Sequence, residues 1–193
     1  MGGSTSRKRE AGRMVFLPLK LILKRLDNEE QELRAMGYEF KSEDFHDGKD
    51  GRVIELITIN GRERLNVIRR YRVTITARGY EKKPTGEIVP RFKHDVYIYV
   101  LRHYPLVDTR RYGAPVRFQW ITPIFHPNIS NGIEAGGLGI VCWHILQQWI
   151  PSFTLPKMVE ALRSLVENPN PDDALIFPET SEAARWFKRR RGP

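Results

Sequence analysis

The sequence predicts an α+β fold built as one domain, and three observations carry the prediction. Apolar residues recur at helical spacing near the start, four β-rich segments joined by turn-forming residues follow, and two further helical stretches close the chain. A helix, then a run of strands, then helices segregates the elements into layers, as an α+β architecture requires. The 193 residues suffice for one core without disulfide support.

Residues 1–13 are small, polar and basic, which predicts a disordered tail ahead of a single domain over 14–193. Gly2 and Ser6 also fit an N-myristoylation pattern, although a flexible polar start explains the same residues more simply. Pro18 stands at a first helical position, Leu19, Ile22, Leu23, Leu26 and Leu33 form a stripe, and Gly37 offers a stop. Together they predict a helix over about 18–35, with Lys20, Lys24, Arg25, Glu29 and Glu32 on its other face. A polar stretch over 42–51 follows. Val53–Ile59 is then a strand ending in Asn60-Gly61, a hairpin signal. Over Leu65–Arg78, Val73, Ile75 and Ala77 alternate with Arg72, Thr74, Thr76 and Arg78, the period of a half-buried strand. Lys83-Pro84-Thr85-Gly86 makes a turn, and His94–Leu101 and Pro115–Ile121 complete a four-stranded antiparallel meander.

Residues 127–151 are irregular and contain Gly132, Gly136, Gly137 and Gly139; so long a loop inside one domain is usually functional. Leu155, Met158, Val159, Leu162, Leu165 and Val166 then mark the buried stripe of a helix that Asn168-Pro169-Asn170-Pro171 ends. A last helix is expected over about 181–190. Thr180 is its candidate cap, and Lys188-Arg189-Arg190-Arg191 suits the negative end of its dipole.

Composition narrows the function. Basic residues outnumber acidic ones by 32 to 23, a net charge of +9, which favours an acidic partner: nucleic acid, an anionic membrane or an acidic protein surface. Lys20, Lys24 and Arg25 interrupt the most apolar stretch, so no ordinary transmembrane helix is predicted, and no secretory signal is read there. Cys142 is the single cysteine. An internal disulfide and a cysteine-rich zinc site are therefore excluded, and a reducing, cytoplasmic setting is expected. On its own Cys142 reads either as a small buried hydrophobe or as a reactive thiol. Its place at the end of the glycine-bearing loop, with His144 two residues on and His126 and Asn128 upstream, favours reactivity. A Cys142–His144 metal site would lack further soft ligands, so no metal is expected.

The surrounding residues carry a resemblance. Ile124-Phe125-His126-Pro127-Asn128-Ile129, Gly139-Ile140-Val141-Cys142, Ile145-Leu146, Trp149-Ile150-Pro151 and Asn168-Pro169-Asn170-Pro171-Asp172-Asp173 occur in that order, after Tyr104-Pro105. This series resembles the ubiquitin-conjugating enzyme family, most strongly over 94–187 and more loosely from residue 18. The resemblance implies that family's fold: an N-terminal helix, a four-stranded antiparallel meander, an active-site loop and two C-terminal helices. It also implies that Cys142 accepts ubiquitin or a ubiquitin-like modifier as a thioester from an activating enzyme, then passes it to a substrate lysine with a RING-type ligase. Asn128 would donate to the oxyanion formed by the attacking amine, worth roughly 3–4 kcal/mol for a positioned donor, or would brace loop backbone instead. Asp173 would orient or deprotonate the incoming lysine, or serve as a turn aspartate. His126 and Pro127 would be structural. No cofactor is implied for this chain, ATP being used by the activating enzyme.

By the same resemblance, Lys20, Lys24 and Arg25 would face the activating enzyme, and Leu106, Pro151 and Ser152 the ligase. A solvated helix face is the plainer explanation of the basic residues, and Leu106 suits a core equally. Several positions depart from the family pattern. The interval from Asn128 to Cys142 is long, consistent with an insertion around Asn131–Leu138. Trp143 and His144 replace leucine and aspartate, Ala174 replaces proline, and Asp108–Gly113 is extra. Such departures mark a divergent member, expected to be archaeal or otherwise prokaryotic. Two other classes compete: a noncatalytic modifier-binding module of the same fold, and a basic nucleic-acid-binding protein. The first lacks the cysteine that is present here, and the second has no recognition motif beyond charge. Neither nucleic acid nor a membrane is therefore an expected partner.

Overall fold

The computed structural model describes residues 16–47, 56–59, 63–109, 113–142 and 149–191. The tail over 1–13, the Asn60-Gly61 turn, Trp143 and His144 lie outside these. The first apolar stripe forms helix α1 over Leu19–Ala35, with Leu19, Ile22, Leu26 and Leu33 buried. Leu23 is only partly buried at the edge of the core.

Five strands follow: β1 (Glu39–Asp44), β2 (Leu56–Ile59), β3 (Glu63–Lys82), β4 (Ile88–Leu101) and β5 (Val116–Trp120). The main sheet is antiparallel in the order β1-β3-β4-β5, and β2 pairs with the first residues of β3. The expected four-stranded sheet is thus present with a different outer strand. Glu39–Asp44 forms that edge, whereas the Val53–Ile59 segment contributes β2, off the main path. Every residue of β1 but Phe40 is exposed, so no apolar alternation announces it. Backbone pairing from Glu39↔Thr74 to Asp44↔Arg69 recruits it, and Phe40 lays its ring 6.0 Å from Tyr71. A short, charged edge of this kind also discourages pairing with other chains.

Along β3, Tyr71, Val73, Ile75 and Ala77 are buried at the predicted period of two. The registers Val73↔Val96, Val96↔Trp120 and Ile98↔Phe118 line up one apolar face. Helix α2 (Leu155–Glu167) covers this core with Leu155, Met158, Val159, Leu162 and Val166. Each such side chain removed from water contributes roughly 1.5–3 kcal/mol.

Helix α3 spans Pro178–Arg191 and begins three residues before the predicted start. Pro178 suits a first helical position, because its fixed φ is helical and its missing N–H has no partner to lose there. Thr180 therefore lies inside the first turn, where its hydroxyl accepts from Phe177 N at 3.2 Å and donates to Leu175 O at 2.6 Å. Aromatic contacts dock α3: Trp186 sits 5.0 Å from Tyr80 and 5.8 Å from Phe125. No described helix is long and apolar enough to cross a membrane.

Candidate active site

The loop after β5 is folded by backbone and amide hydrogen bonds. Asn131 closes it: its side-chain oxygen accepts from Ile124 N at 3.1 Å and Gly132 N at 3.0 Å, and its carbonyl accepts from Gly139 N at 3.0 Å. The insertion expected around Asn131–Leu138 is therefore a compact loop, with a 3-10 turn at Ile133–Ala135. Gly139 has φ +67°, and a Cβ there would lie 2.2 Å from Trp120 O, so only glycine lets the returning chain lie against the end of β5. Trp120 N donates to Gly139 O across that contact at 2.7 Å. From there the chain runs antiparallel to 128–130, through Ser130 N to Ile140 O at 2.8 Å and the Ile129↔Val141 bridge. It delivers Cys142, half-buried, with its N–H donated to Asn128 O at 2.7 Å.

Asn128 joins this loop to the turn that follows α2. Its side chain is buried; Nδ2 donates to Asn170 O at 2.9 Å and Asp173 O at 2.8 Å, while Oδ1 accepts from Asn170 N at 2.7 Å. An amide nitrogen has two hydrogens to give. Both are spent on this turn, so the bracing arrangement is the one observed, and an oxyanion would find a donor only after one of these bonds opened. The turn itself is the 3-10 segment Pro171–Asp173, started by Asn170 Oδ1 accepting from Asp172 N at 3.2 Å. Asp173 is exposed on it, and Pro127 O accepts from Leu175 N at 2.9 Å just beyond. Cys142, Asn128 and Asp173, far apart in sequence, thus meet around a single asparagine.

His126 is wholly buried under this assembly. Its Nδ1 accepts from Asn128 N at 3.0 Å, so the proton resides on Nε2, which lies 3.0 Å from Leu165 O in the last turn of α2. Burial pushes the imidazole down to about 3, and the neutral ring serves as a two-ended tie. A second buried histidine, His94, is pushed down to about 4, also chiefly by burial.

The face expected to meet partners divides. Lys20 and Lys24 are exposed, as are Pro151 and Ser152, and Leu106 is half-buried. Arg25 instead turns along the surface of the domain. It donates to Pro151 O at 2.7 Å and Phe153 O at 2.9 Å, pairs with Glu29 at 2.6 Å, and lies 5.0 Å over the Tyr104 ring. Glu29, expected on the exposed face of α1, is 4% exposed. Its carboxylate accepts from Tyr104 Oη at 2.8 Å and from Leu155 N, the first residue of α2, at 2.9 Å. A carboxylate at a helix N-terminus satisfies an otherwise unpaired N–H and complements the helix dipole. Periodicity alone treats a glutamate as a surface residue; only the packing of α1 beside α2 shows the need for a buried cap.

Two positions in the site escape sequence reasoning. Asn170 supplies the backbone groups that hold Asn128, and Lys188 of α3 pairs with Asp172 at 2.8 Å. An asparagine followed by proline and two aspartates is the available signal for Asn170, since its side chain can start such a turn. Nothing local points to Lys188.

Comparison with known proteins follows the same ground. A family model described as ubiquitin-conjugating enzyme matches residues 92–191. The probable ubiquitin-conjugating enzyme E2 31 of Arabidopsis thaliana is 36% identical over 78 residues, 40% of this chain and 44% of the relative. The match thus spans less than half the length of that relative. Among solved structures, the E2 domain of a Toxoplasma gondii ubiquitin conjugating enzyme superposes with a TM-score of 0.53 and 20% identity over 88% of each chain. At that identity the likeness speaks for the fold.

Proposed function

The chain belongs to the ubiquitin-conjugating enzyme family, and from that premise we propose that it carries ubiquitin or a ubiquitin-like modifier as a thioester on Cys142 and transfers it to lysine. One observation carries the reading: Asn128 holds the Cys142 backbone with its carbonyl and the Asp173 turn with its amide. A half-buried thiol at the mouth of a rigid loop is accessible to a thioester while its surroundings stay fixed.

In the charging step the Cys142 thiolate attacks the thioester carbonyl of the incoming modifier, and the donor thiolate leaves. One thioester replaces another, so little driving force is needed, only some thiolate and free access. In the transfer step a lysine amine attacks the same carbonyl, the C–S bond breaks, and an amide and a thiol result. Asp173 is placed to orient that amine and receive its proton. Asn128 acts here by bracing the turn that carries Asp173. The activating enzyme is proposed to approach Lys20 and Lys24, and a RING-type ligase the Leu106, Pro151 and Ser152 surface, with Arg25 holding the Pro151 segment in place.

Incubation with an activating enzyme, ATP and ubiquitin tests the proposal, read on gels with and without reductant. A reductant-sensitive adduct is expected, replaced in Cys142→Ser by a slower, reductant-resistant oxyester and absent from Cys142→Ala. A thiol-labile adduct on Cys142→Ala would overturn the assignment, because the chain has no other thiol.

A further inference from the structure

We infer that Lys188 is a self-acceptor: the acyl group carried on Cys142 passes to the Lys188 amine of the same chain. The inference rests on the thioester reading of Cys142. It starts from a contact that the proposed transfer reaction leaves unused. The Lys188 ammonium lies 2.8 Å from the Asp172 carboxylate, in the turn that also carries Asp173. Asp173 O accepts from Asn128 at 2.8 Å, and Asn128 O accepts from Cys142 N at 2.7 Å. Two hydrogen bonds through one asparagine therefore separate the turn that holds Lys188 from the cysteine.

The helix bearing Lys188 is held as firmly as the turn. Phe187, its neighbour, sits 6.2 Å from the ring of His126, the tie beneath the cysteine loop, and 5.8 Å from Tyr80. Position 188 is thereby fixed relative to the loop, leaving the side chain alone to move. The ion pair does not lock it, since the Lys188 and Asp172 side chains are 54% and 72% exposed and such pairs are weak. Other described lysines are committed elsewhere: Lys82 to Glu182, Lys83 to Glu81, and Lys157 toward Ser152 O.

The chemistry balances without a co-reactant. The amine first gives a proton to solvent or to the Asp172 carboxylate. Its lone pair then attacks the thioester carbonyl, the C–N bond forms, the C–S bond breaks, and the bonding electrons leave with the Cys142 sulfur. The second amine proton finishes on that sulfur, so thioester and amine become amide and thiol. Because both groups belong to one folded chain, the step is unimolecular and gains from fixed proximity. It would consume the carried modifier when no substrate lysine is docked, and would leave a bulky group beside the site.

The test uses the full chain and, as donor, ubiquitin bearing a C-terminal mercaptoethanesulfonate thioester, which loads a thiol by exchange. A reductant-sensitive adduct is expected first, followed by a reductant-resistant adduct that peptide mass mapping places on Lys188. Its first-order rate should not change over a tenfold dilution. Lys188→Arg keeps the charge opposite Asp172 and removes the nucleophile, so the resistant adduct should fall at least tenfold while loading and discharge onto free lysine stay unchanged. A loaded protein whose resistant adduct is absent, maps elsewhere, survives Lys188→Arg or scales with concentration overturns this inference alone. Failure to load Cys142 at all, or equal loading of Cys142→Ala, overturns the thioester reading and this inference with it.

Discussion

At the junction of α1 and α2, a buried carboxylate gathers a guanidinium, a phenol and a helix N-terminus; around Cys142, by contrast, an amide and a neutral imidazole hold the chain with no formal charge. Glu29 binds Arg25, Tyr104 and Leu155 N, while Asn128 and His126 bind backbone carbonyls and N–H groups of 128, 165, 170 and 173. Both regions fasten α2 to the rest of the domain, one at each end. The charged junction concentrates its strength in one side chain, whose loss strands several partners together. The neutral loop spreads its bonds over directional donors and acceptors, which fixes geometry closely and keeps charge away from the thiol. Its weakness is the proton, because a buried neutral histidine resists being charged.

Breaking the charged hub should have the largest effect. Glu29→Ala leaves Arg25 half-buried and Tyr104 Oη and Leu155 N without their acceptor, and a cost of about 3–5 kcal/mol is expected for removing one member of such a buried pair. Urea unfolding followed by tryptophan fluorescence measures it, and a loss under about 1 kcal/mol would mean that water replaces the carboxylate without penalty. The corresponding cut in the neutral region is Asn128→Ala. It exposes three backbone partners at 170 and 173 to unsatisfied burial, for a cost on the order of 2–3 kcal/mol. Because the bracing arrangement supports both half-reactions, charging of Cys142 and discharge onto lysine should slow together. A variant that charges normally and fails only in discharge would restore the oxyanion role to Asn128.

The smallest effect sharpens the comparison through pH. The histidines at His126 and His94 sit at about 3 and about 4 in the folded chain, against about 6.5 when unfolded. Between those values the unfolded chain binds protons that the folded chain refuses, so stability rises with pH there. It should be complete above about pH 6.5 and fall on acidification by roughly 1.4 kcal/mol per pH unit for each histidine. The urea midpoint should therefore drop between pH 7 and pH 5, and His94→Gln should remove about half of the slope. A midpoint that holds steady over that range would mean that these rings accept protons in place.

Much of this was legible in the chain. Strict periodicity located α1, α2, β3, β4 and β5, because a face that must leave water imposes its spacing on the sequence. Strand β1 was not, because an edge strand with a solvated face has no such spacing to show. The start of α3 was missed for a related reason: proline and a buried threonine signal a helix start only when their backbone partners are known.

The cysteine, His126, Pro127, Asn128 and Asp173 were all singled out in the sequence, since their types and order are local facts. What Asn128 does with its two amide hydrogens was decided by tertiary structure, because its acceptors lie at Asn170 and Asp173, more than forty residues away. The same holds for Glu29 and Arg25. A charged residue on an amphipathic helix is assigned to water until another helix end arrives that needs an acceptor. Residue types set which contacts are chemically possible, and only the folded chain determined which of them were made, since a hydrogen bond depends on distances that no linear spacing encodes.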